Sequence, residues 1–151
     1  MRPEIEKTML AAGLSPDEDI QKLLSVVTGT VLCINGGVGL VAEYLNDKGC
    51  NVTLTDANRL CFSYRRALVP NSTVRHWNIE SENIKLNKPS FDYVVINSSG
   101  DFSLAEKLAK KAVVSLYDKK VKNIAGDKDV VNSNTNNSEN TEIKPSSISS
   151  K

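Results

Sequence analysis

Val31-Leu-Cys-Ile-Asn-Gly-Gly-Val-Gly-Leu40, continuing through Val41, Tyr44, Leu45 and Gly49 to Val52-Thr-Leu-Thr-Asp56, is the stretch that decides the fold. The apolar run Val31–Ile34 reads as a buried strand. Gly36, Gly37 and Gly39 follow it, where a Cβ would obstruct both a sharp turn and the close approach of a ligand. Leu40, Val41, Tyr44 and Leu45 recur at helical spacing, and Gly49 closes that helix. A helix opening at Val38–Gly39 aims its free N–H groups at whatever lies above the turn. Val52 and Leu54 then lead a second strand to Asp56, placed to accept both hydroxyls of a ribose. Strand, glycine turn, helix, strand and acid together make the first half of an adenosine-cofactor site.

The rest of the chain is consistent with one modest α/β domain. Its 151 residues, 40% hydrophobic and 25% charged, suffice for a single core. A net charge of +1 exerts no global pull towards nucleic acid or membrane. No apolar stretch approaches the ~20 residues of a membrane span. Cys33, Cys50 and Cys61 are an odd number without CxxC spacing, so reduced structural thiols in a cytoplasmic protein are expected. Cys33, inside the first strand, reads as a small buried apolar residue rather than a nucleophile. His76 is the single histidine, which excludes a multi-histidine metal site.

Two short helices are expected at 3–12 and 15–26, the second capped by Ser15 with Pro16 in its first turn. Strands follow at 30–34, 51–55, 72–77 and 91–96, with helices at 38–48 and 58–68 between the first three. A polar connection spans 80–90. Leu104, Leu108, Val113 and Leu116 suggest a helix over 102–119, leaving room for at most a scrap of strand near Val121–Ile124. Residues 1–27 thus form N-terminal helices and 28–126 a doubly wound α/β domain. The Asn/Ser-rich segment 127–151 reads as a disordered tail.

Two registers compete at the turn. Gly37-Val-Gly-Leu-Val-Ala42 fits the dinucleotide fingerprint, with Asp56 nineteen residues after Gly37. It leaves Asn35 and Gly36 as extra residues between strand and fingerprint. Counting instead from Asn35 gives Asn35-Gly-Gly-Val-Gly39 directly after the strand. That register resembles motif I of the class I S-adenosylmethionine-dependent methyltransferases. Three further stretches share the resemblance, which covers roughly 28–117. Val52–Asn58 looks like the second strand with its ribose-binding acid. Val74–Glu80 resembles the segment that meets the adenine, and Phe91–Asn97 the Phe-Asp-x-Val fourth strand.

The resemblance implies a Rossmann-like parallel sheet of the methyltransferase type, order 3-2-1-4 with a short or missing fifth strand. It implies S-adenosylmethionine as cofactor, held by Asn35, Gly36, Gly37, Gly39, Asp56, Ala57, Asn78, Ile79 and Asn97. The departures are specific. Cys33 stands where the family has an acid, Asn35 replaces the first glycine, and Asn78 replaces the adenine-side aspartate. Asn tolerates positive φ, and the Asn78 carbonyl is suited to accept from an exocyclic amine. Asn97-Ser98-Ser99-Gly100 replaces the Asp/Asn-Pro-Pro-aromatic run of many amino-methylating members.

Three functional readings follow: a methyltransferase with an unidentified acceptor, a non-catalytic subunit of that fold acting through a partner chain, and a nicotinamide-binding module. The largely apolar strand Phe91–Ile96, with little chain after it, suggests a homodimer or partner chain beside strand four. The alternative is that 121–125 pairs there and leaves a monomer. Lys107, Lys110, Lys111, Lys119, Lys120 and Lys122, with Arg59, Arg65, Arg66 and Arg75, read either as solvated faces or as a surface for RNA or another acidic partner.

Overall fold

The computed structural model describes residues 3–98 and 102–124. The expected tail, together with Ser99 and Gly100, lies outside them. Two helices, α1 (Pro3–Ala11) and α2 (Glu18–Leu24), precede the sheet. Its strands are β1 (Thr30–Ile34), β2 (Asn51–Thr55), β3 (Arg75–Trp77), β4 (Phe91–Ile96), β5 (Ala109–Ser115) and β6 (Lys120–Asn123). Helices α3 (Leu40–Asp47) and α4 (Arg59–Leu68) connect β1 to β2 and β2 to β3, and α5 (Ser103–Leu108) leads into β5. The sheet order is β3-β2-β1-β4-β5-β6, parallel except for β6, which runs antiparallel to β5.

Strand β1 is central, and after Thr30 all of its residues are buried, because helices cover both faces. Its alternate side chains enter two separate cores. Val31 and Cys33 pack with Leu24, Val27, Ala42, Leu45 and Val95 beneath α2 and α3. Leu32 and Ile34 pack with Val94, Ile96, Ala105, Leu108 and Val113 beneath α5. That arrangement is the doubly wound sheet expected of the sequence.

The stretch 102–119 is divided differently from the expectation. Only Ser103–Leu108 is helical, and β5 starts at the next residue, with its last four residues continuously buried. The run Ala112-Val113-Val114 is the physical reason: β-branched residues fit a sheet covered on both sides better than a helix. Accordingly the fifth strand is seven residues long, β6 pairs beyond it, and one bulge in β5 adjusts its register on β4. The side of β4 expected to be open is therefore filled by the chain's own β5. The outer edge is β6, where Lys120 and Lys122 are exposed, a charge pattern that discourages edge pairing. Among the described residues no helix is long and apolar enough to cross a membrane.

Smaller boundaries also shift. The cap of α2 is Asp17, whose carboxylate accepts from Ile20 N–H at 3.0 Å, not Ser15. Strand β3 begins at Arg75 because the Ser72 hydroxyl accepts from Val74 N–H at 3.1 Å, a local turn that withdraws 72–74 from the ladder.

A side-chain brace ties β1 to β4. Asp92 Oδ2 accepts from Thr30 N–H at 3.1 Å and from Thr30 Oγ1 at 3.3 Å, while Asp92 N–H donates back to Thr30 Oγ1 at 2.9 Å. The Thr30 N–H bond lowers the Asp92 pKa below the usual aspartate range. A depressed folded-state pKa stabilises above the unfolded value and is lost as pH falls through the folded one. Asp92→Ala is expected to cost about 1–2 kcal/mol at neutral pH, since the carboxylate is only partly buried. The deficit should shrink as pH falls through the folded-state pKa of Asp92, as measured by urea denaturation across pH.

Candidate functional site

The turn after β1 is built on left-handed backbone. Asn35 has φ +58°, Gly37 +65° and Gly39 +102°. Asparagine at the first position thus keeps the turn that glycine would give, as its tolerance of positive φ suggests. Side chains also crowd all three glycines. A Cβ on Gly36 would overlap the Leu54 side chain, one on Gly37 the Glu6 carboxylate, and one on Gly39 the Arg65 guanidinium.

Every N–H from Gly36 to Leu40 has a partner within the chain. Gly36 N–H donates to Thr55 O at 3.1 Å, and Gly37 N–H to Asp56 Oδ2 at 2.8 Å. Val38, Gly39 and Leu40 donate to the two oxygens of Glu6 at 3.0, 2.9 and 2.8 Å. Below the loop Arg65, 4% exposed, donates to Val38 O at 3.1 Å and to Glu43 Oε2 at 2.8 Å. Arg65 is therefore not part of a solvated basic face. Neither Glu6 nor Arg65 was marked as a site residue by the sequence. Their partners are 32–34 and 22–27 residues away, and no local spacing encodes such pairings.

Asp56 ends β2 beside this loop. Its Oδ1 accepts from Asn58 N–H at 2.9 Å, while Asn58, not Asp56, caps α4. A carboxylate has about four acceptor positions, so two remain after these bonds. Asn35, Asp56 and Ala57 line an open polar cleft of about 530 Å³ with Asn58, Glu80 and Glu82. Gly36 and Asn97 line a second cavity of about 170 Å³ with Glu6, Cys33 and Ile20. Gly37 and Gly39 line neither, being covered by Glu6 and Arg65. Asn78 lines neither as well: its Nδ2 donates to Asp56 O at 2.9 Å, and Ile79 packs against the α5-side core.

Two titratable groups, on β1 and β3, are shifted from their usual ranges. Burial pushes the Cys33 thiol up to about 12, which keeps it protonated and unsuited to nucleophilic attack. Burial, with Arg65 as a lesser cause, holds His76 below the usual histidine range, and its ring lies 5.1 Å from that of Phe62. Among the described residues no cluster of His, Cys, Asp and Glu could hold a metal ion.

No protein-family model matches the sequence, and no curated protein matches it. Solved structures do. A TehB-like SAM-dependent methyltransferase from Corynebacterium glutamicum matches at TM-score 0.58 and 15% identity, over 74% of this chain and 68% of that one. The fold is that of the class I methyltransferases. A SAM-dependent methyltransferase from Mesorhizobium loti matches at TM-score 0.54 and 16% identity, over 64% and 50%. A chain of the Haloferax volcanii complex between the Trm112 methyltransferase activator and its methyltransferase matches at 0.55 and 16%, over 76% and 60%. This chain thus spans about half to two thirds of the length of these methyltransferase-fold proteins.

Proposed function

We propose that the chain binds S-adenosylmethionine or S-adenosylhomocysteine across the carboxyl ends of β1, β2 and β4. The observation that carries this reading is Asp56. It is anchored by Gly37 and Asn58 N–H groups and keeps two acceptor positions beside the acid-lined cleft, as a pair of ribose hydroxyls requires. On this reading Asn35 and Ala57 flank the ribose, Asn78 and Ile79 back the adenine side, and Gly36 with Asn97 borders the amino-acid end. Gly37 and Gly39 serve through the loop's shape. The cleft volume lies within the ~300–1,000 Å³ of small-molecule sites.

A nicotinamide cofactor is disfavoured by charge. The N–H groups at the start of α3 that would receive a pyrophosphate are taken by the Glu6 carboxylate, and the cleft's ionisable lining residues, Asp56, Glu80 and Glu82, are all acids. Methyl transfer itself relies on holding the acceptor in line with the sulfonium, so proximity and orientation supply most of the effect without a general base. The second reading, a non-catalytic subunit acting through a partner chain, draws on the activator complex among the similar structures.

Titration calorimetry with S-adenosylmethionine, S-adenosylhomocysteine and NAD is the test. Binding of the first two and none of NAD is expected. Tighter binding of NAD would overturn the cofactor assignment, and silence for all three would leave only the non-catalytic reading.

A further inference from the structure

Glu6 is a buried charge that the methyltransferase resemblance does not explain. It projects from α1, is 7% exposed, and gives its carboxylate to three consecutive N–H groups at the start of α3. Those groups have no partner within α3, although Gly39 N–H also donates to Gly36 O at 3.2 Å, and the helix N-terminus carries partial positive charge. Glu6 therefore does for this turn what a bound anion does for a phosphate-binding one.

A separate observation makes Glu6 more than a cap. The same side chain walls the 170 Å³ cavity, next to Gly36 and Asn97. The cavity's only other charged lining residue is Asp17, also an acid. Three of the roughly four acceptor positions of the Glu6 carboxylate are filled, and the fourth belongs to Oε1, which bonds only Val38 N–H among the three.

We propose that Glu6 is the charge-selecting residue of this site. It fills the anion position at the N-terminus of α3 with the chain's own carboxylate, so phosphate-bearing ligands are refused. Its remaining acceptor position and its charge favour a ligand that brings a cationic ammonium into the small cavity. This rests on the adenosine-ligand reading above and adds the reason for its preference among adenosine compounds.

The experiment titrates the full chain and its Glu6→Gln and Glu6→Ala variants with three probes. These are ADP, S-adenosylhomocysteine, and 5′-methylthioadenosine, which lacks the amino-acid end. Wild-type protein is expected to bind S-adenosylhomocysteine about tenfold or more tighter than methylthioadenosine, the scale of one charge-assisted contact, and to ignore ADP. Glu6→Ala should gain ADP binding by about tenfold or more and lose most of the discrimination between the thioethers. Glu6→Gln keeps the side chain's shape for the case where Glu6→Ala fails to fold.

A folded variant that still refuses ADP overturns the proposal. So does tighter binding of S-adenosylhomocysteine by Glu6→Gln, because Glu6 would then be competing with the ligand's carboxylate. ADP bound by wild-type protein as tightly as S-adenosylhomocysteine overturns it without any variant. If wild-type protein binds no thioether, the adenosine reading falls, yet a gain of ADP binding in Glu6→Ala still supports charge selection.

Discussion

Arg65→Ala is expected to destabilise the protein by about 3–5 kcal/mol, the cost of removing one partner from a buried ion pair. Its guanidinium side chain is 5% exposed and that of Glu43 14%. Nη2 meets Glu43 Oε2 at 2.8 Å and Ser72 Oγ at 3.4 Å, and Nη1 holds Val38 O at 3.1 Å. The Ser72 hydroxyl adds a bond to the same carboxylate oxygen at 2.6 Å. Truncation at Arg65 leaves the Glu43 carboxylate poorly solvated beside a serine and leaves Val38 O unpaired.

Because Val38 lies in the glycine turn, the damage should reach the site as well as the fold. A paired replacement, Arg65→Met with Glu43→Leu, removes both charges and is expected to recover most of the lost stability. Urea denaturation of the single and double variants measures the difference. A loss below about 1 kcal/mol in Arg65→Ala, the scale of an exposed pair, would show that this ion pair does not hold the loop.

What could be read from the sequence follows from how local the physics is. The segment from β1 to Asp56 was legible because each of its signals lies within a few residues of its cause. A strand buried on both faces is continuously apolar, a left-handed turn needs Gly or Asn, and a helix against a sheet shows one apolar stripe. The second half was less legible because its apolar positions fit two periods at once. Leu104 and Leu108 are spaced for a helix, and Val113 and Leu116 extend that spacing, although Ala112–Ser115 is a buried strand. Propensity favoured the strand there, but the spacing hid it. The expectation of an open edge beside β4 failed for the same reason: the residues that fill it were assigned to a helix.

The site divides along the same line. Asn35, Asp56 and Ala57 meet in one cleft because each sits at the end of a strand or in the turn beside it. Glu6 and Arg65 are brought to the loop by tertiary packing of α1 and α4. Neither residue differs in its local sequence from an ordinary surface charge. Their burial against the loop is visible only in the folded chain.

Asp56→Asn is the variant expected to damage ligand binding most. The aspartate accepts at both oxygens, from Gly37 N–H at 2.8 Å and Asn58 N–H at 2.9 Å, and donates nothing. An asparagine side chain presents one oxygen and one NH₂ group to those same positions. Whichever way it turns, a donor faces a donor, and one backbone N–H loses its partner. The stability cost of such a mismatch is about 1–3 kcal/mol. Binding should suffer separately, because hydroxyls that donated to a charged acceptor meet a neutral amide. Two weakened bonds of this kind amount to about 3 kcal/mol, or about 100-fold in affinity for S-adenosylhomocysteine. Asn78→Ala is the contrasting variant. Asn78 donates to Asp56 O from outside the cleft and backs the adenine side, so its loss should weaken binding less than Asp56→Asn does and lower the melting temperature beside it. Calorimetry and thermal melts on both variants separate the two effects. Wild-type affinity in a folded Asp56→Asn protein would remove Asp56 from the binding site, and with it the observation on which the adenosine reading stands.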